Sequence, residues 1–205
     1  MKIYVMGDSI SIQYGPYLKK FLNPKFTYSR KEDEEEVSLN FDHPAGANGG
    51  DSSMVLSFFK AKLSSHKINA DLILLNCGLH DIKANIITKK NQVPIDLYIQ
   101  NLEEILQLFK NTKLKIIWLR TTPCNDKIHN TDISTFFRFS KDCISYNYAA
   151  DELMKKNKTP IIDLYSFTNQ FGDDLYYDHV HFHPHICEKQ GAFIAGWLEG
   201  YSQII

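Results

Sequence analysis

The apolar stretch at 71–77 (Asp-Leu-Ile-Leu-Leu-Asn-Cys) strongly limits the folds open to this chain. Its continuous aliphatic core leaves no polar side for water, which is typical of a strand buried on both faces of a parallel sheet. Shorter apolar or alternating segments lie at 3–6, 37–41, 114–119 and 160–164. Because helical patterns separate these segments, the sequence predicts a five-stranded parallel sheet with right-handed crossovers in a three-layer α/β/α sandwich.

The helices are predicted from apolar residues at helical spacing. They span about 12–22, 54–63, 94–111, a segment from about 132 to 153, and 184–201. Pro94 and Pro184 are suited to the first turn of their helices. The charge run at 30–36 is predicted to be a solvated loop, residues 85–93 a loop over the sheet edge, and the stretch after Pro123 a long polar loop.

Composition excludes several classes of protein. A chain of 205 residues can bury one sizeable core, so we expect one domain over 1–205. Its net charge of -1 gives no electrostatic reason to expect nucleic acid or an anionic membrane as partner. No segment approaches the ~20 apolar residues needed to span a bilayer, and the N-terminus lacks the pattern of a signal peptide. We therefore expect a cytoplasmic protein with a small-molecule partner.

The cysteines indicate free thiols. The chain has 4 of them, Cys77, Cys124, Cys143 and Cys187, with no Cys-x-x-Cys pair and too few for a disulfide scaffold. Cys143 is a conceivable nucleophile, but no neighbouring residue favours that role, and we expect it to be buried.

The first predicted strand ends in the tripeptide Gly-Asp-Ser at 7–9. Gly7 permits a sharp bend, and Ser9 would stand near a helix N-terminus, beside free backbone N–H groups and the positive end of the helix dipole. The alternative is that Asp8 and Ser9 only cap the helix. The distant pair Asp178 and His181 favours a nucleophile, since a serine needs a base and the base needs an orienting group.

Other polar groups follow other predicted strands. A glycine-rich loop occupies 46–50, with Asp51 or Ser52 as the cap of the next helix, and His80 follows the strand at 71–77. The loop lacks both the Gly-Lys-Ser/Thr ending and the Gly-x-Gly-x-x-Gly spacing of nucleotide-binding loops. Because the carboxyl ends of parallel strands share one edge of the sheet, these groups are expected to converge with Ser9.

In combination, these motifs resemble the SGNH (GDSL-type) hydrolase superfamily over nearly the whole chain. The matching blocks are 7–9 (Gly-Asp-Ser), 48–53 (Asn-Gly-Gly-Asp-Ser-Ser), 78–81 (Gly-Leu-His-Asp) and 178–181 (Asp-His-Val-His). Each block is short, and their order along the chain makes the match specific. The resemblance implies a flavodoxin-like fold, the hydrolysis of acyl esters or thioesters through an acyl-enzyme, and no cofactor.

The resemblance also implies a role for each matched residue. Ser9 would be the nucleophile, His181 its base, and Asp178 the group that orients the base. The oxyanion hole would use the backbone N–H groups of Ser9 and Gly50, and the side chain at position 80. Gly46 and Gly49 lie close enough to leave the choice of glycine open.

Position 80 departs from the family pattern, which has asparagine where this chain has His80. A histidine ring can donate one N–H and fill the same place in the correct tautomer or in its charged form. Removing one oxyanion donor typically costs about 2.7–4 kcal/mol of transition-state stabilisation. We therefore hypothesise that His80 is a working donor; the rival hypothesis is a weakened oxyanion hole.

Histidines at 179, 181, 183 and 185 alternate, which raises the alternative of a metal site. On an extended segment these rings would share a face. However, the helix predicted from Pro184 breaks the extended geometry, and no other ligand is spaced for zinc. We therefore predict no metal and place His179, His183 and His185 at the rim of the cleft.

The substrate is less constrained than the reaction. Aromatic residues around 136–148 and at Tyr176 and Tyr177 could stack on sugar rings or line an acyl pocket. By resemblance, an acetyl ester of a carbohydrate is the first choice, and a longer-chain lipase or thioesterase activity is the second. A non-catalytic binding protein of the same fold is a further alternative, although it would not need the serine, the base and the orienting acid.

Overall fold

A five-stranded parallel sheet forms the centre of the computed structural model, which describes residues 1–31, 43–64, 68–132, 135–172 and 174–203. The strand order is β2-β1-β3-β4-β5. The strands are β1 (Lys2–Met6), β2 (Thr27–Arg30), β3 (Leu72–Leu75), β4 (Lys115–Leu119) and β5 (Ile161–Ile162). All neighbouring strands run parallel, as the apolar stretches predict.

The central strand β3 lies between β1 and β4, and every one of its residues is buried. Leu75 is in register with Met6 of β1 and with Trp118 of β4. The carboxyl ends of these strands therefore lie side by side, which is the edge where open α/β sheets hold their ligands.

Helices cover both faces of the sheet and complete the three-layer sandwich. They are α1 (Ser9–Phe21), α2 (Ser52–Ser64), α3 (Ile95–Phe109), α4 (Asp126–Asp132), α5 (Ser140–Lys156), α6 (Leu164–Asn169) and α7 (Pro184–Tyr201). Helix α7 packs on α1 and α6, whereas α3 packs on α2 and α5. The contact between α7 and α1 is close at Gly191, where a Cβ atom would lie 2.7 Å from the backbone nitrogen of Leu18. None of the helices described is long and apolar enough to cross a membrane.

The position of the second strand differs from the prediction. The predicted strand at 37–41 lies outside the described residues, and β2 occupies Thr27–Arg30 instead. Arg30 is also not part of a solvated loop, because its side chain is buried and donates hydrogen bonds to the carbonyl oxygens of Ser11 and Ala47. A buried arginine at the end of an edge strand has the same sequence signature as the start of a charge run.

The single helix predicted from about 132 to 153 is wrong before Ser140. Helix α4 forms earlier, where the side chain of Asn125 accepts hydrogen bonds from the first turn, and α5 begins only at Ser140. Between them Phe137 forms an antiparallel bridge with Ala84. Aromatic residues favour extended backbone, and here this preference prevailed over their helical spacing.

Candidate active site

Ser9 lies at the turn between the first strand and the first helix. Gly7 follows β1, Asp8 is the N-cap of α1, and Ser9 is the first residue of the helix. The Asp8 carboxylate accepts a hydrogen bond from the Ile10 N–H at 3.0 Å. A Cβ atom at Gly7 would lie 2.8 Å from the Cβ of Ser11, so this turn has no room for a side chain.

The structure brings Ser9, His181 and Asp178 together in one chain of hydrogen bonds. His181 Nε2 lies 2.8 Å from Ser9 Oγ, and His181 Nδ1 lies 2.8 Å from Asp178 Oδ2. Both the serine and the histidine are buried, whereas 35% of the Asp178 side chain is exposed. With Nδ1 donating to the carboxylate, Nε2 is free to accept the serine proton.

Asp178 is held as a carboxylate by its own loop. Its Oδ1 accepts the backbone N–H groups of Val180 and His181 at 2.9 and 2.8 Å, in addition to the His181 ring. Partial burial opposes ionisation, but these hydrogen bonds outweigh it and hold the pKa of Asp178 below its ordinary value. The Asp-x-x-His segment therefore forms a turn in which the aspartate accepts hydrogen bonds from the backbone N–H groups of the third and fourth residues.

The glycine-rich loop lies against the serine turn. The Gly49 N–H donates to the Gly7 carbonyl at 2.9 Å, and the Gly50 N–H donates to the side-chain oxygen of Asn48 at 2.9 Å. Gly50 has a φ of 72°, and a Cβ there would lie 2.5 Å from the sulfur of Met54. The predicted donor Gly50 therefore stands at the correct edge, with its N–H engaged by a neighbouring side chain.

Arg30 and Lys31 hold this glycine-rich loop in place. Both residues belong to the charge run that was predicted to be a solvated loop. Arg30 bridges α1 and the Ala47 carbonyl, and Lys31 donates to the carbonyl oxygens of Gly46 and Asn48. No motif marks them, and only their position at the end of a strand could have suggested this role.

His80 is buried in the turn that follows β3. The adjacent Asp81 joins this turn to the glycine-rich loop, because both of its oxygens lie within 3.1 Å of the Ser52 N–H at the start of α2. Burial raises the pKa of Asp81 to about 7, although the hydrogen bonds from Ser52 oppose the shift. His80 thus lies on a buried turn fixed by its neighbour, and its role as the third oxyanion donor stays a prediction.

The alternating histidines do not form a four-imidazole cluster. His183 and His185 stack on each other near the surface, whereas His179 points to His129 in α4. Donor atoms of Asp178, His179 and His181 do lie within 4.8 Å of one another. Asp178 and His181 already hydrogen-bond to each other in the series of hydrogen bonds that reaches Ser9. A metal ion at this position would compete with those hydrogen bonds.

The predicted burial of Cys143 is confirmed. Its thiol is buried, and both its contact with Cys124 and its burial raise its pKa well above the ordinary value. All four cysteines are free and buried. A thiolate nucleophile is therefore disfavoured at Cys143.

A cleft of about 580 Å³ opens at the same sheet edge, beside the loop that carries Asp178. Tyr165 and Tyr176 line it together with polar side chains from the start of α4 and α5. Of the other predicted aromatic contacts, Tyr177 is 70% exposed and Tyr146 is buried in the core. The cleft offers aromatic rings and hydrogen-bonding groups, and its lining residues Leu175 and Tyr176 directly precede the loop that carries Asp178.

Comparison with known proteins agrees with this fold. The family model of GDSL-like lipases and acylhydrolases matches residues 3–189. A comparison with curated proteins finds no match. Among solved structures, a lipase/acylhydrolase from Enterococcus faecalis shares 18% identity, with a TM-score of 0.71 over 98% of this chain and 96% of that one.

Two further similar structures are named for their substrates. The acetyl xylan esterase AlAXEase shares 16% identity, with a TM-score of 0.67 and full coverage of both chains. Est24, a carbohydrate acetylesterase from Sinorhizobium meliloti, shares 10% identity, with a TM-score of 0.66 over 98% of this chain and 99% of that one. At such identities these likenesses show the fold, whereas the family match covers most of the sequence. The chain belongs to the GDSL-like lipase/acylhydrolase family of ester hydrolases.

Proposed function

We propose that this protein is a serine esterase that removes a small acyl group, preferentially acetyl, from a carbohydrate. The hydrogen-bonded chain from Ser9 through His181 to Asp178, with 2.8 Å at each link, is the observation that carries the proposal. In this proposal Ser9 is the nucleophile, His181 the general base, and Asp178 the group that orients and stabilises the imidazolium.

Acylation starts when Ser9 Oγ attacks the ester carbonyl carbon and His181 Nε2 takes the hydroxyl proton. The carbonyl electron pair moves onto oxygen and forms a tetrahedral oxyanion. When that pair returns, the bond to the alcohol oxygen breaks, and His181 gives its proton to the departing alcohol. An acyl-Ser9 ester remains.

Deacylation repeats these steps with water as the nucleophile. His181 removes a proton from water, the hydroxide adds to the acyl carbon, and collapse of the second oxyanion expels Ser9, which recovers its proton. The products are a carboxylic acid and the free enzyme. No step requires a group other than the side chains and backbone of this chain.

The oxyanion would be stabilised by the backbone N–H groups of Ser9 and Gly50 and by the His80 ring. The Gly50 N–H donates to Asn48 in the free protein, so it must turn toward the oxyanion or share its proton between two acceptors. Such a shared donor suits an anion, which attracts the N–H more strongly than an amide oxygen does.

The proposed substrate class has two supports. Two structures of this fold are named as acetyl xylan and carbohydrate acetylesterases. In addition, the cleft beside the Asp178 loop presents Tyr165 and Tyr176, whose ring faces suit a sugar, beside polar groups that suit hydroxyls. A short acyl group would occupy the reaction centre while the sugar extends toward this cleft.

The proposal is tested by hydrolysis of p-nitrophenyl acetate, butyrate and octanoate and of acetylated xylo-oligosaccharides, with wild type, Ser9→Ala and the control Ser57→Ala. We expect a preference for acetyl, release of acetate from the oligosaccharide, and activity that Ser9→Ala abolishes and a chelator leaves intact. Preference for octanoate would transfer the assignment to lipase or thioesterase chemistry. Activity lost with chelator and restored by zinc would overturn the metal-free mechanism.

A further inference from the structure

A buried imidazole pair supports the loop that carries the proposed base. His129 of α4 is fully buried, and its Nδ1 lies 2.8 Å from the Nδ1 of His179. At that distance one ring donates a proton and the other accepts it. His179 lies between Asp178 and His181 in sequence, and its ring meets the His181 ring edge to face at 5.7 Å. The imidazole pair thus fixes the outer side of the Asp178–His181 turn.

A buried guanidinium supports the opposite side of the site. Arg138 is 1% exposed, and its Nε donates to the Leu79 carbonyl at 2.8 Å, one residue before His80. Its Cζ lies 5.0 Å from the centre of the Phe136 ring. Burying this charge is costly, and the hydrogen bond to the Leu79 carbonyl and the contact with the Phe136 ring offset part of that cost.

Both side chains come from one short region of the chain, 126–132 together with 135–138, which we term the α4 brace. Its parts hold one another, because the Arg138 N–H donates to the side-chain oxygen of Asn130 at 2.9 Å. Phe137 of the brace is tied to Ala84, four residues after His80, by two backbone hydrogen bonds of 2.7 and 2.8 Å. The brace therefore contacts both the base loop and the His80 turn.

We propose that the α4 brace sets the distance between the loop that carries His181 and the turn that carries His80. His129 and Arg138 are its positioning residues. This inference rests on the proposed function of Ser9, His181 and His80. His129 keeps the His181 ring directed at Ser9, and Arg138 keeps the His80 turn directed at the oxyanion.

The charge of Arg138 supports the same role. The guanidinium attracts the carboxylate of Asp8, which stands next to Ser9 and whose pKa is raised by burial, an effect that Arg138 and His181 partly offset. A fixed cation in this low-dielectric surrounding also favours the negative charge that develops on the acyl oxygen. Its effect should therefore be greater on turnover than on substrate binding.

The test compares disruptive variants with conservative ones in the full-length chain. His129→Leu and Arg138→Met remove the contacts; His129→Asn and Arg138→Lys retain a polar atom and a charge. Arg120→Met is the control, because Arg120 is a partly buried arginine that pairs with Asp151 and Asp163 instead of with the His80 turn, and its neighbour Tyr165 belongs to the proposed sugar cleft, which p-nitrophenyl acetate does not require. The measurements are kcat and KM on p-nitrophenyl acetate, the melting temperature, and the proton resonance of His181 Nδ1–H and the ring resonances of His80, which need no substrate.

We expect kcat to fall about 10- to 100-fold in His129→Leu and Arg138→Met, since small misplacements of catalytic groups cost this much, with KM changed less than about threefold. The conservative variants should recover part of the loss, and Arg120→Met should lower the melting temperature without lowering kcat. The His181 signal should move in His129→Leu, and the His80 signals in Arg138→Met.

Unchanged kcat in either disruptive variant, or equal losses in Arg120→Met, would overturn the brace as a positioning element. If the wild type hydrolyses none of the esters, the proposed function fails. The resonances of His181 and His80 alone then test the brace. Signals that stay in place in His129→Leu and Arg138→Met then reject the brace, and signals that move support it. Should a disruptive variant fail to fold, its conservative partner decides. A lower melting temperature with unchanged kcat and unmoved signals then rejects the brace as a positioning element, whereas a lower kcat with moved signals supports it.

Discussion

The two halves of this active site are built differently. In the relay half, Ser9, His181 and Asp178 contact one another directly through side chains, and each link is 2.8 Å. In the oxyanion half, the candidate donors are held by turns: Gly50 donates to Asn48, and His80 lies on a turn fixed by Asp81 and Arg138. The relay half therefore depends on the acid–base chemistry of each side chain, whereas the oxyanion half depends on where its turns place an N–H donor.

This difference explains why position 80 can depart from the family pattern. A proton relay needs particular acid–base chemistry at each position, so no other residue readily replaces His181 or Asp178. An oxyanion hole needs only an N–H at the correct point, which the ring of His80 can supply in place of an asparagine amide. Substitutions should accordingly be more costly in the relay half.

The largest effect below the loss of Ser9 itself is expected for Asp178→Asn. An amide at this position can no longer stabilise the imidazolium, and it can present its NH₂ to the ring and select the wrong tautomer. We expect kcat to fall by about 10³- to 10⁴-fold with little change in KM. Steady-state kinetics on p-nitrophenyl acetate measure this, and a loss below tenfold would mean that Asp178 does not orient the base.

His80→Ala probes the oxyanion half and should lower kcat by about 10²- to 10³-fold, the usual cost of one missing donor. His80→Asn restores a donor on a shorter side chain and should lose about tenfold or less. Wild-type kcat in the alanine variant would show that the ring does not reach the oxyanion. An asparagine variant as active as wild type would assign the donor role to any N–H, without a special part for histidine.

Gly50→Ala should act through the backbone. A side chain there is strained at φ 72° and collides with Met54, at a cost of about 1–3 kcal/mol. We expect a melting temperature lower by several degrees and kcat lower by about tenfold, because the donor N–H shifts. The double variant with Met54→Ala removes the closest collision but keeps the strained φ and a 2.9 Å approach to the Pro44 Cβ, so full recovery in it would locate the effect in the contact with Met54.

Asp81→Asn should have the smallest effect on turnover and a clear effect on stability against pH. The pKa of Asp81 is about 7 in the folded protein and near 3.8 when exposed, so the folded state holds a proton that the unfolded state has lost in between. Stability contributed by this group is therefore present below about pH 4 and decreases as pH rises to 7, by at most about 4 kcal/mol. Urea titrations at pH 5 and 8 should show that the free energy of unfolding decreases less between these pH values in the asparagine variant than in wild type.

Sequence patterns predicted the parts of the fold that are determined locally. The buried strand β3, the serine turn and the bounds of α7 follow from continuous apolar residues, a Gly-Asp-Ser turn and a proline in the first helical turn. Strand β2 was missed because Thr27–Arg30 is a short edge strand with little apolar signal. The brace was missed as well, because buried His129 and Arg138 derive their meaning from partners 50 and 59 residues away.

The central claim is that Ser9 carries the acyl group, and trapping the intermediate tests it most directly. Wild type and Asp178→Asn, in which deacylation is slowed, are mixed with p-nitrophenyl acetate, quenched in acid, and mapped by peptide mass spectrometry. We expect one added acetyl group on the peptide that contains Ser9, and none in Ser9→Ala. Acetyl on another residue, or turnover in Ser9→Ala at the wild-type rate, would contradict it.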